Sequence, residues 1–154
     1  MNTIEKKSVN AGKFVTKQEV DTLITSYKQE RWAASSDRLG KADSLSVWFT
    51  VEEVEAFLAA VKANGGNGVR FHFGVHNAEN APEPEFEGRQ TVVMIGNRSS
   101  DGSYSSSKEL YSIKNGKPEI VALAGGTLCP PFCGSGTLGK ASLIVRGDNG
   151  MEII

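Results

Sequence analysis

Apolar side chains recur along this chain with two different periods, and the changes between them mark out its elements. Val20, Leu23, Ile24 and Tyr27 stand at i, i+3, i+4 and i+7, a spacing that gathers them on one face of an α-helix. Thr16 with Glu19 three positions on is a capping-box signature, so a helix is predicted to follow Thr16 and to end near Ala34. Residues 35–41, SSDRLGK, are rich in turn formers and carry Gly40, and are expected to connect rather than to continue the helix. The β-branched and aromatic run LSVWF, residues 45–49, predicts a strand. Thr50 and Glu53 repeat the capping box, and Val54, Phe57, Leu58 and Val61 supply the apolar stripe of a second helix that Gly65, Gly66 and Gly68 stop.

After those glycines the period changes to two. In VRFHFGVH, residues 69–76, Val69, Phe71, Phe73 and Val75 fall on one face and Arg70, His72, Gly74 and His76 on the other. The expectation is a half-buried strand with its hydrophobic set inward. NAENAPEPEFEG, residues 77–88, is an acidic loop, and TVVMI, residues 91–95, is apolar enough for a strand covered on both faces. A Ser/Gly-rich mobile loop is predicted over 99–107. EIVAL at 119–123 and SLIVR at 142–146 are predicted strands, the latter folding back through GDNG onto MEII. Helix, strand, helix and then a series of strands predict an α+β fold: two amphipathic helices packed on one face of a mixed, largely antiparallel sheet. Residues 1–15 are expected to be a flexible lead-in and 16–154 a single domain.

Bulk composition mainly excludes. A chain of 154 residues, 39% hydrophobic, has the size and make-up to bury a substantial core. A formal net charge of -1 provides no broad basic field, so neither nucleic acid nor an anionic membrane surface is an expected partner. The polar N-terminal stretch lacks a secretory apolar core, and no run reaches the ~18 apolar residues that a membrane span requires. A cytoplasmic location is therefore expected. Two cysteines are too few for a disulfide scaffold, in keeping with a reducing compartment.

Several motifs invite a chemistry that their context denies. GSGTLGKAS, residues 134–142, contains G-x-x-x-x-G-K, yet a phosphate loop needs a strand before it, a helix after it and Ser or Thr behind its lysine. Here the flanks are LCPPFC and SLIVR, and Ala141 follows Lys140. NRSSDGSYSSSKE begins like a calcium loop, but Lys108 stands at position 12 where a bidentate glutamate belongs. The RGD at 146–148 is a strand end entering a turn. Cys129, Cys133, His72 and His76 make up a zinc inventory, but residues four apart on a strand are about 13 Å from one another and cannot both reach one metal. No metal or cofactor is expected. The cysteine pair is read foremost as two reduced thiols in a Pro-stiffened loop; a disulfide would need the chain to turn, since extended Pro-Pro geometry parts the Cα atoms by about 12 Å against a limit of about 7 Å. Neither a G-x-S-x-G elbow nor any other catalytic constellation stands out, and no catalytic residue is assigned.

The polar strand face remains. Both histidines of the chain lie on it beside an arginine, and Arg70, His72 and His76 are the candidate ligand-binding residues, suited to an anion or a carboxylate. The competing reading is a solvated outer face. SVWFTVEEVEAF, GVRFHFGVH and LCPPFCG together resemble a group of small uncharacterised bacterial proteins with WF-[ST]-x-E-E, G-[IV]-R-x-x-F-G and CPPxC motifs. That resemblance spans most of the chain after the first helix; it implies that strand and CPPFC loop recur together, and it carries no activity. The expected function is that of a non-catalytic domain binding a small ligand or a protein partner. The alternative is a thiol-dependent enzyme, or a redox or metal-binding protein, using Cys129 and Cys133. An assembly role would show itself as an apolar surface patch. Oligomeric state is not legible.

Overall fold

The computed structural model describes residues 10–134, together with the backbone of 144–147 and 150–153. Most of GSGTLGKAS, the aspartate of RGD and the middle of GDNG lie outside the described residues, as does most of the expected lead-in. Residues 10–16 are exposed and form neither helix nor strand. The fold is α+β, as predicted. Its strands form four small sheets among the described residues, and the chain divides into two compact units.

One unit comprises Met1–Lys13, Phe49–His72 and Val92–Ala124. Its helix, which we number α3 (Val51–Ala63), starts on the reciprocal Thr50–Glu53 capping box. It buries Phe57 and Val61 against Met94, Leu110 and Val121, with Val69 packed on this cluster. Met94 comes from β3 (Gln90–Ser99), which pairs with β4 (Ser107–Glu109) and β7 (Ala122–Leu123) in antiparallel register. Gly96 lets β3 approach the helix closely, because a Cβ there would stand 2.9 Å from Val61 Cγ2. The predicted strand EIVAL is split at Val121. Val121 N–H donates to Leu110 O and its carbonyl accepts from Gly96, so a buried residue separates β6 (Lys117–Ile120), paired with β5 (Tyr111–Lys114), from β7.

The other unit comprises Phe14–Trp48, Phe73–Thr91 and Gly125–Ile154. α1 (Lys17–Tyr27) carries the expected Thr16–Glu19 capping box. It does not end near Ala34. A π-helical segment, Lys28–Trp32, leads into α2 (Ala33–Leu39), which stops at Gly40 in the left-handed conformation with φ 79°. The serines of the predicted connector are thus helical. Tertiary contacts override their propensity: fully buried Ser36 accepts the Asp43 N–H through its Oγ, and Trp32, also fully buried, donates its indole N–H to Asp43 O at 2.7 Å. β1 (Ser46–Trp48) pairs antiparallel with β8 (Thr127–Cys129), setting Val47 opposite buried Leu128. β9 (Ile144–Gly147) and β10 (Gly150–Ile153) form the predicted C-terminal hairpin.

β2 (Gly68–Val75) is the extended strand read from the alternation, and it passes from the first unit into the second after His72. Its facing is not the one predicted. Val69 is half-buried, but Phe71, Phe73 and Val75 are 63%, 80% and 65% exposed. Alternation shows only that two sets of side chains point in opposite directions. Which set is covered depends on what packs there.

Candidate functional site

Four side chains on the long helical run, Tyr27, Arg31, Ser35 and Arg38, line one side of a cavity of about 930 Å³. Their spacing of four, four and three residues keeps them on one helical face, and it exists only because helix continues through residues 33–39. Phe73, Val75 and Leu39 provide its apolar lining, and Asp43 and Gln90 its remaining polar groups.

The polar groups fall into two kinds. Tyr27 donates its hydroxyl to Gln90 Oε1 at 2.8 Å. Asp43 Oδ1 accepts the backbone N–H of Gln90 at 2.7 Å and of Ser44 at 2.8 Å, while Oδ2 accepts the Ser35 hydroxyl. Burial raises the Tyr27 phenol above its ordinary pKa, and the nearby Asp43 charge adds to the effect, so the phenol stays neutral and donating. This half is satisfied from within. Arg31 spends one donor on Glu30 O at 3.0 Å, Arg38 is exposed, and among the described residues no carboxylate forms an ion pair with either. The cavity therefore offers hydrocarbon, two guanidinium groups and a neutral phenol. It suits an apolar body bearing an acidic group.

The three residues read as one polar face do not make one site. Arg70 donates to Tyr104 O at 3.0 Å and Ser107 Oγ at 2.7 Å, so its fork is engaged by its own loop. It lines a second cavity, of about 740 Å³, with Asn67, Asn97, Ser99 and Tyr104. His72 is exposed. His76 lies beyond the end of β2 and is 6% exposed. Its ring stacks on Phe86 with centroids 6.0 Å apart, Nδ1 lies 3.3 Å from Asn80 Oδ1, and Nε2 has no hydrogen-bond partner among the described residues. The loop after the strand folds over it, which alternation within the strand had no means of showing.

Cys129 and Cys133 are joined in a disulfide rather than standing as two thiols. The peptide bonds before Pro130 and Pro131 are both cis, and the cysteine Cα atoms are 4.7 Å apart, so the extended path assumed for Pro-Pro is not taken. Phe132, inside the bridged loop, meets Phe86 edge-on at 5.7 Å, leaving Phe86 between His76 and the bridge. No group of three or more His, Cys, Asp or Glu able to hold a metal occurs among the described residues.

The serine-rich loop, read from the sequence as mobile, carries a set of hydrogen bonds centred on Asp101. Asp101 Oδ1 accepts from Ser103 N–H at 2.9 Å and from the hydroxyls of Ser103, Ser106 and Ser99 at 2.6, 2.5 and 3.2 Å. Hydroxyls thus occupy the carboxylate that a calcium loop would offer to its ion. These bonds, those from Ser103 foremost, hold the Asp101 carboxyl well below the usual carboxylate range. A depressed folded-state value stabilises the loop above the ordinary aspartate pKa near 3.9, and that support is lost as pH falls through the lower folded value. The expected result is that Asp101, followed by its carboxyl NMR shift, titrates below the ordinary aspartate value near 3.9. In Asp101→Asn the amide protons of 99–107 should exchange at least about tenfold faster.

The sequence reading missed the cavity. Its signal was the row Tyr27, Arg31, Ser35, Arg38, which becomes visible only if SSDR is read as helix. No protein-family model matches the chain, and no curated protein or solved structure is significantly similar to it.

Proposed function

We propose that the chain is a non-catalytic binding domain and that its ligand is a small amphipathic molecule with an acidic group, held in the Tyr27–Arg31–Arg38 cavity. The observation that carries this reading is the combination of exposed Arg31 and Arg38 with an apolar lining of Phe73, Val75 and Leu39. Guanidinium groups bind carboxylates and sulfonates through paired N–H donors, and the hydrocarbon lining rewards burial of an apolar body. The anionic ligand anticipated on the strand face is thereby assigned to different arginines.

The test is calorimetric titration with the naphthalene-type sulfonate dye ANS. Saturable one-to-one binding is expected, weakened about tenfold or more when Arg31 and Arg38 are both replaced by alanine, since charged hydrogen bonds contribute roughly 1.5–3 kcal/mol each. Unsaturable binding, or equal affinity in the doubly substituted protein with an unchanged circular dichroism spectrum, would reject the cavity as the site.

The closed cysteine bridge, with Cys133 exposed, favours a second reading as a dithiol–disulfide switch. A bridge persists in oxidising surroundings and opens in a reducing cytoplasm, so the cytoplasmic placement and the bridge bear on one another. Alkylation across a graded glutathione couple separates the cases: a midpoint within the cytosolic range supports switching, and one far below it identifies a structural bridge. Among the described residues no helix is long and apolar enough to cross a membrane.

A further inference from the structure

Among the described residues, β2 lies at the end of its sheet, hydrogen-bonded to β3 alone. An end strand offers a row of unpaired N–H and C=O groups, and protective devices such as Lys, Pro or a very short length usually blunt it. β2 is eight residues long, holds neither Lys nor Pro, and exposes Phe71 at 63%, Phe73 at 80% and Val75 at 65%. Arg70 and His72 on its other face are exposed as well. The edge calls for an occupant, and its sequence indicates which one.

Residues 69–75 read V-R-F-H-F-G-V, nearly the same in both directions about His72. Two antiparallel copies crossing on a two-fold axis at His72 set Val69 opposite Val75 and Phe71 opposite Phe73, each pair occurring twice. Directly opposed aromatic and β-branched pairs are the stabilising units of antiparallel strands. The single departure from symmetry favours the same register. Arg70 falls opposite Gly74, so each strand's long cation lies over a position with no side chain, and no two arginines are opposed. We infer that β2 is a self-pairing edge through which a second copy of this chain adds antiparallel about His72, an isologous contact of the kind that closes into a dimer.

Magnitudes place this contact at the weak end. Phenylalanine rings bury about 150–250 Å² when covered, so four rings exposed to the observed degree offer roughly 500 Å². That is about half of the ~1,200 Å² at the lower bound of specific interfaces, with paired backbone adding the rest. The expected dissociation constant is therefore micromolar. Phe73 and Val75 also line the cavity, whereas Phe71 and His72 do not. Self-association and ligand binding can thus be disabled separately.

Sedimentation velocity on the full chain over roughly 1–200 μM should show a rise toward doubled mass. Phe71→Asp should hold the protein monomeric while leaving ANS affinity within about twofold, whereas Arg31→Ala with Arg38→Ala should do the reverse. Register is tested by chemistry at the axis. Opposed Cα atoms on antiparallel strands are about 4.5–5.5 Å apart, inside the range a disulfide spans, so His72→Cys should form a covalent dimer on mild oxidation. Glu55→Cys on α3, at an exposed position, is the control and should not. Gly74→Arg should dissociate the pair by opposing two arginines, and adding Arg70→Gly should restore it. A monomeric mass at every concentration, His72→Cys cross-linking no faster than the control, or a Gly74→Arg protein that dimerises unchanged would each overturn the inference.

Discussion

Replacing Trp32 with alanine should destabilise the protein by about 3–5 kcal/mol, the range for emptying a large buried aromatic site. Trp32 is fully buried and packs with Ala42, Tyr27 and Leu45, so the space it leaves is walled by helix on one side and by the 42–45 segment on the other. Its indole N–H also satisfies Asp43 O at 2.7 Å. Alanine removes the packing and leaves a buried carbonyl unpaired, costs of the same sign. Phenylalanine keeps most of the ring and loses only the donor, so Trp32→Phe should fall between, near 1–2 kcal/mol. Urea unfolding followed by far-ultraviolet circular dichroism measures both. Trp48, which is 64% exposed, remains as a fluorescence marker in each variant. A Trp32→Ala loss under about 1 kcal/mol would mean that this packing does not organise the unit.

The second large effect is expected at Asp43, which is 4% exposed and accepts hydrogen bonds at both carboxylate oxygens. Asp43→Ala strands the backbone N–H groups of Ser44 and Gln90, and a buried donor without an acceptor costs about 1–3 kcal/mol. The total should reach about 3 kcal/mol or more. Asp43→Asn keeps one oxygen in place and lets the Ser35 hydroxyl turn to accept from the amide, so it should lose about half as much. The same pair of variants bears on Tyr27. Its raised pKa comes first from burial and second from Asp43, so removing the charge should lower the value while leaving it above the ordinary one. A phenol whose folded-state pKa is raised contributes stability in full below the unfolded value near 10, lost as pH rises through the folded value. Ultraviolet difference titration should therefore show Tyr27 ionising earlier in Asp43→Asn than in the parent protein. An unchanged titration would dissociate the two residues.

Local chemistry was legible in the chain where it is self-contained. Thr16 with Glu19 and Thr50 with Glu53 form their capping boxes because both partners lie within one helical turn. The extended form of residues 68–75 follows from a period of two, and the C-terminal pairing from a turn between two short apolar runs. Elsewhere the local signal pointed the wrong way. Serines at 35 and 36 favour turns in isolation, yet Ser36 and Trp32 meet Asp43, seven and eleven residues away in sequence, and that packing carries the helix through to Gly40. Val121 belonged to one predicted strand and instead divides two, because its backbone bonds run to Leu110 and Gly96.

By itself, then, the sequence determined the α+β class, the two helix starts, the extension of β2 and its near-symmetry about His72, since each depends on neighbours a few residues apart. Only tertiary packing decided that Phe71, Phe73 and Val75 would be left outside, that His76 would be covered by Phe86, that the two cysteines would meet, and that Arg31 and Arg38 would share a cavity. Periodicity divides side chains between opposite faces without ranking them. Coverage belongs to whatever the rest of the chain brings against each face.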